Sequence, residues 1–142
     1  MTLTQDRRAE LISSCRLFHD LDTDDLQAIA DVAVEVDFPP GRPIVRQGEI
    51  GTGFFVIVDG RVRVARDGVP VAELGRGEFF GELSVIDGAP RNAQVNAIEA
   101  TRCLAIASWD FERVLRENPG VALTVLRVVV ARLRAADHDD RH

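Results

Sequence analysis

Lysine and tyrosine are missing from this 142-residue chain, so all 17 of its basic residues are arginine. Together with abundant Ala, Val and Gly, that composition is associated with GC-rich bacterial coding sequences. Cysteine is scarce: Cys15 and Cys103 are far apart and in no C-x-x-C pattern. Two cysteines cannot supply the four thiolates of an iron–sulfur cluster or a disulfide framework, and they read as reduced, partly buried thiols of a cytoplasmic protein. No apolar run approaches the roughly 20 residues that a membrane span needs. The first eight residues, Met1 to Arg8, lack the apolar centre of a signal peptide. A net charge of −6 works against non-specific nucleic-acid binding, which needs a basic face, though it speaks only of the average surface. Histidine is limited to His19, His138 and His142.

The length and the hydrophobic fraction of 46% fit a single folded unit over residues 1–142. Its first part, residues 1–31, reads as helical. A helix is expected over 4–18, and a second begins at Asp22 and runs to about Ala30. Asp22 is its N-cap and Asp25 the acid three positions on, with Leu21 and Leu26 at hydrophobic-staple spacing. From 32 to 107 the period changes to that of strands, with glycine or proline every several residues. Val32–Phe38 alternates, Phe38-Pro39-Pro40-Gly41 turns, and Phe54–Val58 reads as a buried strand. Asp59-Gly60 and Asp67-Gly68 are hairpin signals around Val62–Arg66, with Val71–Leu74 next. Short strands punctuated in this way read as an α+β chain built on an antiparallel β jelly-roll, a double-stranded β-helix barrel flanked by N- and C-terminal helices. Residues 108–136 read as the C-terminal helices, with Ser108 capping the first. Asn118-Pro119 separates it from a last helix that ends near Ala136, ahead of a polar, frayed tail over 137–142.

Residues 79–97 carry the chemistry. Gly81 stands before the start of a short helix, Glu82 follows it, and Arg91 stands nine residues beyond Glu82 in a run of small and apolar residues. A helix start offers unpaired N–H groups, and an arginine fork suits a phosphate. A carboxylate beside them would repel an anion unless it faces another part of the ligand, such as hydroxyls. A sugar phosphate with a free hydroxyl offers both. The competing reading of the same residues is a structural Glu82–Arg91 ion pair across a hairpin.

Phe80-Gly81-Glu82-Leu83 followed by Arg91, Ala93 and Val95 resembles the phosphate-binding cassette of cyclic-nucleotide-binding domains. Those domains occur in bacterial catabolite activators, kinase regulatory subunits and nucleotide-gated channels. Gly41, Gly48, Gly60, the Phe54–Val58 strand and Asn118-Pro119 extend the resemblance over roughly residues 15–136. It implies that Arg91 pairs with the cyclic phosphate and that Glu82 accepts the ribose 2′-OH. The amides of Leu83, Ser84, Asn92 and Ala93 would meet the phosphate or ribose, with Gly81 admitting the ligand. Val64, Val71 and Phe80 match positions that wall the ribose and base in relatives, and the barrel core is the other reading of each. Asn92 stands where the family usually has a small Ser, Thr or Ala. The ligand implied is cyclic AMP, with cyclic GMP the other candidate, and no cofactor is implied. The family's polar base-contacting pair falls on Ala136 and Asp137, which carry no such hydroxyls. Arg132 or Arg134 would then stack on the base.

The apolar side chains of Val121–Arg134 cover an arc of about 220° on a helix, more than the roughly 100° that covering a barrel requires. Leu123, Leu126, Val130 and Leu133 have coiled-coil spacing, beside a stripe of Val121, Val125, Val128 and Val129. A homodimer through this helix, or another protein partner, is the expectation; the other reading is that the single domain buries the helix by itself. Catabolite activators continue into a helix-turn-helix and this sequence stops, so neither direct nucleic-acid binding nor a membrane partner is expected. The related cupin barrels hold metals with strand histidines, and none falls between 32 and 107 here, so no metal site and no enzyme activity are expected. The function implied is a sensor that passes cyclic-nucleotide occupancy through its C-terminal helices. The alternative is a ligand-blind module of the same fold that uses the last helix as a contact.

Overall fold

The computed structural model describes residues 3–15, 17–18 and 20–140, of which 82, 83 and 136–140 are described by backbone alone. The chain begins with α1 (Gln5–Ser13) and α2 (Thr23–Val32). The strands β1 (Val34–Phe38), β2 (Pro43–Val45), β3 (Gly53–Asp59), β4 (Arg61–Arg66), β5 (Val69–Gly75) and β6 (Phe79–Phe80) follow. The short α3 (Glu82–Asp87) precedes β7 (Gln94–Ala97) and β8 (Thr101–Ala107), and α4 (Ser108–Glu117) and α5 (Pro119–Asp140) close the order. Two four-stranded antiparallel sheets, β1-β8-β3-β6 and β2-β7-β4-β5, face each other as a jelly-roll, so the fold is the α+β class that the strand pattern implied.

The apolar run Phe54–Val58 does not alternate because the first sheet is covered on both faces. Phe54 and Val56 point to the helices, where they share a core with Ile12, Leu17, Phe18, Ile29, Phe111 and Val121. Phe55 and Ile57 point into the barrel with Val62, Phe80, Val95 and Cys103. The Phe54 ring lies 4.7 Å from Phe111 and 6.1 Å from Phe18 between centroids. On the opposite face Phe55 stacks on Phe80 at 5.1 Å. The second sheet meets solvent outside, so β4 alternates in burial, with Val62 enclosed between exposed Arg61 and Arg63.

The Asp22 cap is in place, its carboxylate accepting the Asp25 amide at 2.8 Å. Burial, then the neighbouring Asp22 and Asp24, raises the Asp25 carboxyl above its ordinary value. Other boundaries differ from the sequence pattern. The first helix ends at Ser13 because the Ser13 and Ser14 hydroxyls donate back to the Glu10 and Leu11 carbonyls, competing with continuation. Leu17 and Phe18 then enter the core from a turn, while Arg16 lies outside the described residues. Asp67-Gly68 is a tight hairpin with positive φ at both residues, 53° and 79°. Asp59-Gly60 is not a hairpin: β3 and β4 lie in different sheets, and the chain crosses between them here. Gly60 makes that corner at φ 102°, where a Cβ would fall 2.6 Å from the Ala100 carbonyl oxygen. Ser108 is the first helical residue of α4 rather than its cap, Ala107 holding that position, and its amide donates to the Thr52 carbonyl. The last helix passes Ala136 and runs to Asp140, since no glycine or proline stops it; residues 137–140 are therefore helical, not a frayed tail, and 141–142 lie outside the described residues.

Among the described residues no helix is long and apolar enough to cross a membrane. Replacing Phe54 by Ala should cost about 3–5 kcal/mol of stability, because its neighbours come from both a helix and a strand and collapse poorly; urea unfolding measures it. Burial, and secondly the charge of Asp37, pushes the Cys103 thiol up to about 12 from its ordinary 9.0. Its contribution to stability is present below about pH 9 and is lost as pH rises towards 12. Cys15 and Cys103 should therefore resist a thiol-specific reagent at pH 8 and react only after unfolding, whereas prompt labelling of the native protein would contradict their enclosure.

Candidate functional site

The site grows from the segment between β6 and β7. Phe79 and Phe80 end β6 with their rings on opposite faces, Phe79 toward the helices and Phe80 into the barrel. Gly81 then turns the chain at φ 90°, ψ 1°, a left-handed geometry suited to glycine, and α3 starts directly after it. A second reason for glycine is steric, since a Cβ there would meet Nη1 of Arg91 at 2.5 Å. Gly88, at φ 71°, ends α3 and returns the chain toward Arg91.

Arg91 is only 8% exposed. Its backbone is tied to the β2–β3 loop: the Arg91 amide donates to Glu49 O and the Gly48 amide donates to Arg91 O, both at 2.8 Å, beside an Ile50–Pro90 bridge. Its guanidinium donates through Nη1 to the Gly81 carbonyl at 2.8 Å and through Nη2 to the Gly53 carbonyl. Such bonds offset much of the cost of burying a charge.

A cavity of about 320 Å³ opens beside this arginine, near the lower end of the range for small-molecule sites. Of the residues named from sequence, Gly81, Ser84, Arg91, Asn92, Ala93, Val64, Val71, Phe80 and Arg132 all line it. Phe80 and Val64 serve the barrel core as well, whereas Val71 is exposed and belongs to the cavity wall rather than the core. Arg134 is an exposed residue that does not line it. The side chains of Glu82 and Leu83 lie outside the described residues, as do those of Ala136 and Asp137.

Arg132 reaches the cavity because α5 is anchored by its inner stripe. Val121 and Val125 are enclosed and Val128 packs on the same core, and Arg132 follows one turn later on that face. Its Cζ sits 3.9 Å from the centroid of the Phe79 ring, a cation–π contact that ties α5 to the end of β6.

Sequence reasoning missed Val45, Arg66, Ala72, Leu74, Phe79 and Val95 as lining residues. In the β4–β5 pairing Val64 faces Ala72 while Ala65 faces Pro70, leaving Val71 as an extra residue. Such a bulge re-aims side chains, so that Val71 and Ala72 both border the cavity although a regular strand would send them to opposite faces. No alternation pattern reveals this. Among the described residues no group of His, Cys, Asp and Glu could hold a metal ion.

The chain is 36% identical over 126 residues to a cyclic nucleotide-gated potassium channel of Rhizobium etli, covering 89% of this chain and 35% of the channel. It is 33% identical over 126 residues to the cyclic AMP receptor protein of Thermus thermophilus, covering 85% of this chain and 58% of that protein. It thus spans only about one third to three fifths of these relatives' lengths. The crystal structure of the Thermus thermophilus catabolite activator protein superposes with a TM-score of 0.80 at 33% identity, over 87% of this chain and 61% of that one. Residues 35–118 match the profile of the cyclic nucleotide-binding domain, and with relatives at 33–36% identity over most of its length, this chain belongs to the cyclic nucleotide-binding domain family.

Proposed function

We propose that this chain is a cyclic-nucleotide sensor that reads cyclic AMP in the cavity beside Arg91 and reports occupancy through α4 and α5. The observation that carries the reading is the convergence on one cavity of a buried arginine, the start of α3 and an arginine from the last helix. In this reading Arg91 takes the cyclic phosphate, and the amides of Leu83, Ser84, Asn92 and Ala93 serve the phosphate or ribose. Glu82 accepts the 2′-OH. Val64, Val71 and Phe80 wall the sugar and base, and Arg132 caps the base in place of the hydroxyls absent from Ala136 and Asp137. Cyclic AMP is preferred over cyclic GMP because Asn92 replaces the threonine associated with guanine, and because the Thermus relative is by name a cyclic AMP receptor. Ligand drawn inward between α3 and Arg132 would move α5, by as much as its affinities for the two arrangements differ.

The outer face of α5 suggests where the signal goes. Leu123, Leu126, Val130 and Leu133 remain 48%, 59%, 38% and 55% exposed, while Val121 and Val125 on the inner face are enclosed. We assign the outer face to a second copy of the chain, paired through the 3-4-3 seam.

Calorimetric titration with cyclic AMP, cyclic GMP and 5′-AMP tests the ligand, with Trp109 emission followed in parallel. Wild type should bind one cyclic nucleotide at micromolar or tighter and ignore 5′-AMP. Replacing Arg91 by Ala should weaken that binding at least a hundredfold; an unchanged affinity would remove the phosphate role. No response to any nucleotide would leave the ligand-blind contact module. For the seam, sedimentation velocity at micromolar concentration should show a dimer that Leu126→Asp converts to monomer, and a monomeric wild type with and without nucleotide would sink the pairing.

A further inference from the structure

Arg91 borders two cavities. One is the candidate nucleotide cavity; the other, of about 370 Å³, lies among β1, the β2–β3 loop and the end of β8, with Ile50 and Trp109 on its wall. Gly51 lines only the second cavity and Gly81 only the first. A Cβ built on Gly51 would lie closer than 3.0 Å to the Cζ, Nε and Nη2 atoms of Arg91. Three guanidinium atoms thus occupy the space that any side chain at 51 would need. Gly51 does not have positive φ, so alanine meets no backbone penalty there. What alanine would strike is the flexible end of one side chain, not backbone.

We infer that Gly51 is the positioning residue for Arg91: the missing side chain at 51 creates the seat in which the guanidinium lies against the Gly53 and Gly81 carbonyls at the edge of the nucleotide cavity. This rests on the proposed role of Arg91 in phosphate binding, but the seat itself is a claim about the ligand-free protein. Gly53 and Gly81 contribute carbonyl acceptors and Gly51 contributes volume. Arg91→Ala removes the charge, whereas Gly51→Ala keeps the charge and removes its place. That difference makes the two substitutions separable.

The experiment uses the full chain and three variants: Gly51→Ala, Arg91→Ala and the double replacement. The Arg91 Nε–H resonance, assigned by its loss in Arg91→Ala, should move in Gly51→Ala while the melting temperature stays within a few degrees of wild type. Cyclic AMP affinity should fall at least tenfold in Gly51→Ala. In the Arg91→Ala background the same replacement should cost nothing further, since the cycle isolates a coupled pair. An unmoved Nε–H signal would overturn the inference, as would an affinity loss that persists in full without Arg91. Should wild type bind no cyclic nucleotide, the sensor reading falls and the Nε–H resonance alone decides the seat: movement upholds it and constancy overturns it.

Discussion

Three consecutive residues at the start of β3 hold this molecule together, because a single strand is covered on both faces. Gly53 lends its carbonyl to Arg91, Phe54 enters the helix-side core against Phe18 and Phe111, and Phe55 enters the barrel against Phe80. An extended backbone sends neighbouring side chains to opposite faces, so one rigid segment is common to the helices, the barrel and the site. The site cannot shift relative to both cores without disturbing packed aromatic rings. Close-packed interiors resist such disturbance.

Burying a guanidinium is costly unless its N–H groups find acceptors, and here the main-chain carbonyls of Gly53 and Gly81 are among those acceptors. Main chain can come this close only where side chains are missing. Gly51 and Gly81, thirty positions apart in the sequence, are both required to be small by the same three-nitrogen group. Gly81 has a second duty, the left-handed turn that opens α3, while Gly51 has none of that kind. One arginine therefore explains two glycines of different backbone character. Exposed pairs such as Arg102–Asp37, at 2.8 Å across the β1–β8 register, lower the Asp37 carboxyl but contribute little to stability in high-dielectric surroundings.

The last helix is divided along its length into an inner and an outer stripe. The inner stripe secures it to the core and ends on Arg132 over Phe79; the outer one keeps its leucines in solvent. Because Arg132 borders the cavity, the helix that carries the exposed outer stripe also lines the candidate site. A ligand that competes with Phe79 for that guanidinium would act on the helix directly, with no relay through intervening residues.

Much of the architecture was legible in the chain itself, for reasons that are local. The Asp22 cap, the Asp67-Gly68 turn and the Pro119 helix start follow from backbone chemistry acting within a few residues. The spacing from Gly81 to Arg91 and on to Val95 marked the cassette, and the excess apolar arc of the last helix marked its two faces. Tertiary structure decided the rest. Asp59-Gly60 looks like a hairpin until Thr101 and Ala100 crowd it into a corner between sheets, and Ser14 stops a helix whose polar–apolar pattern runs on. Val71 borders the cavity because a register shift in β5 overrides alternation, and Gly51 matters because the fold carries Arg91 back to it across forty residues. Capping, turn type and periodicity are short-range and can be read from a window of residues. Steric exclusion and the sharing of one charged group between distant loops exist only once the chain has closed on itself.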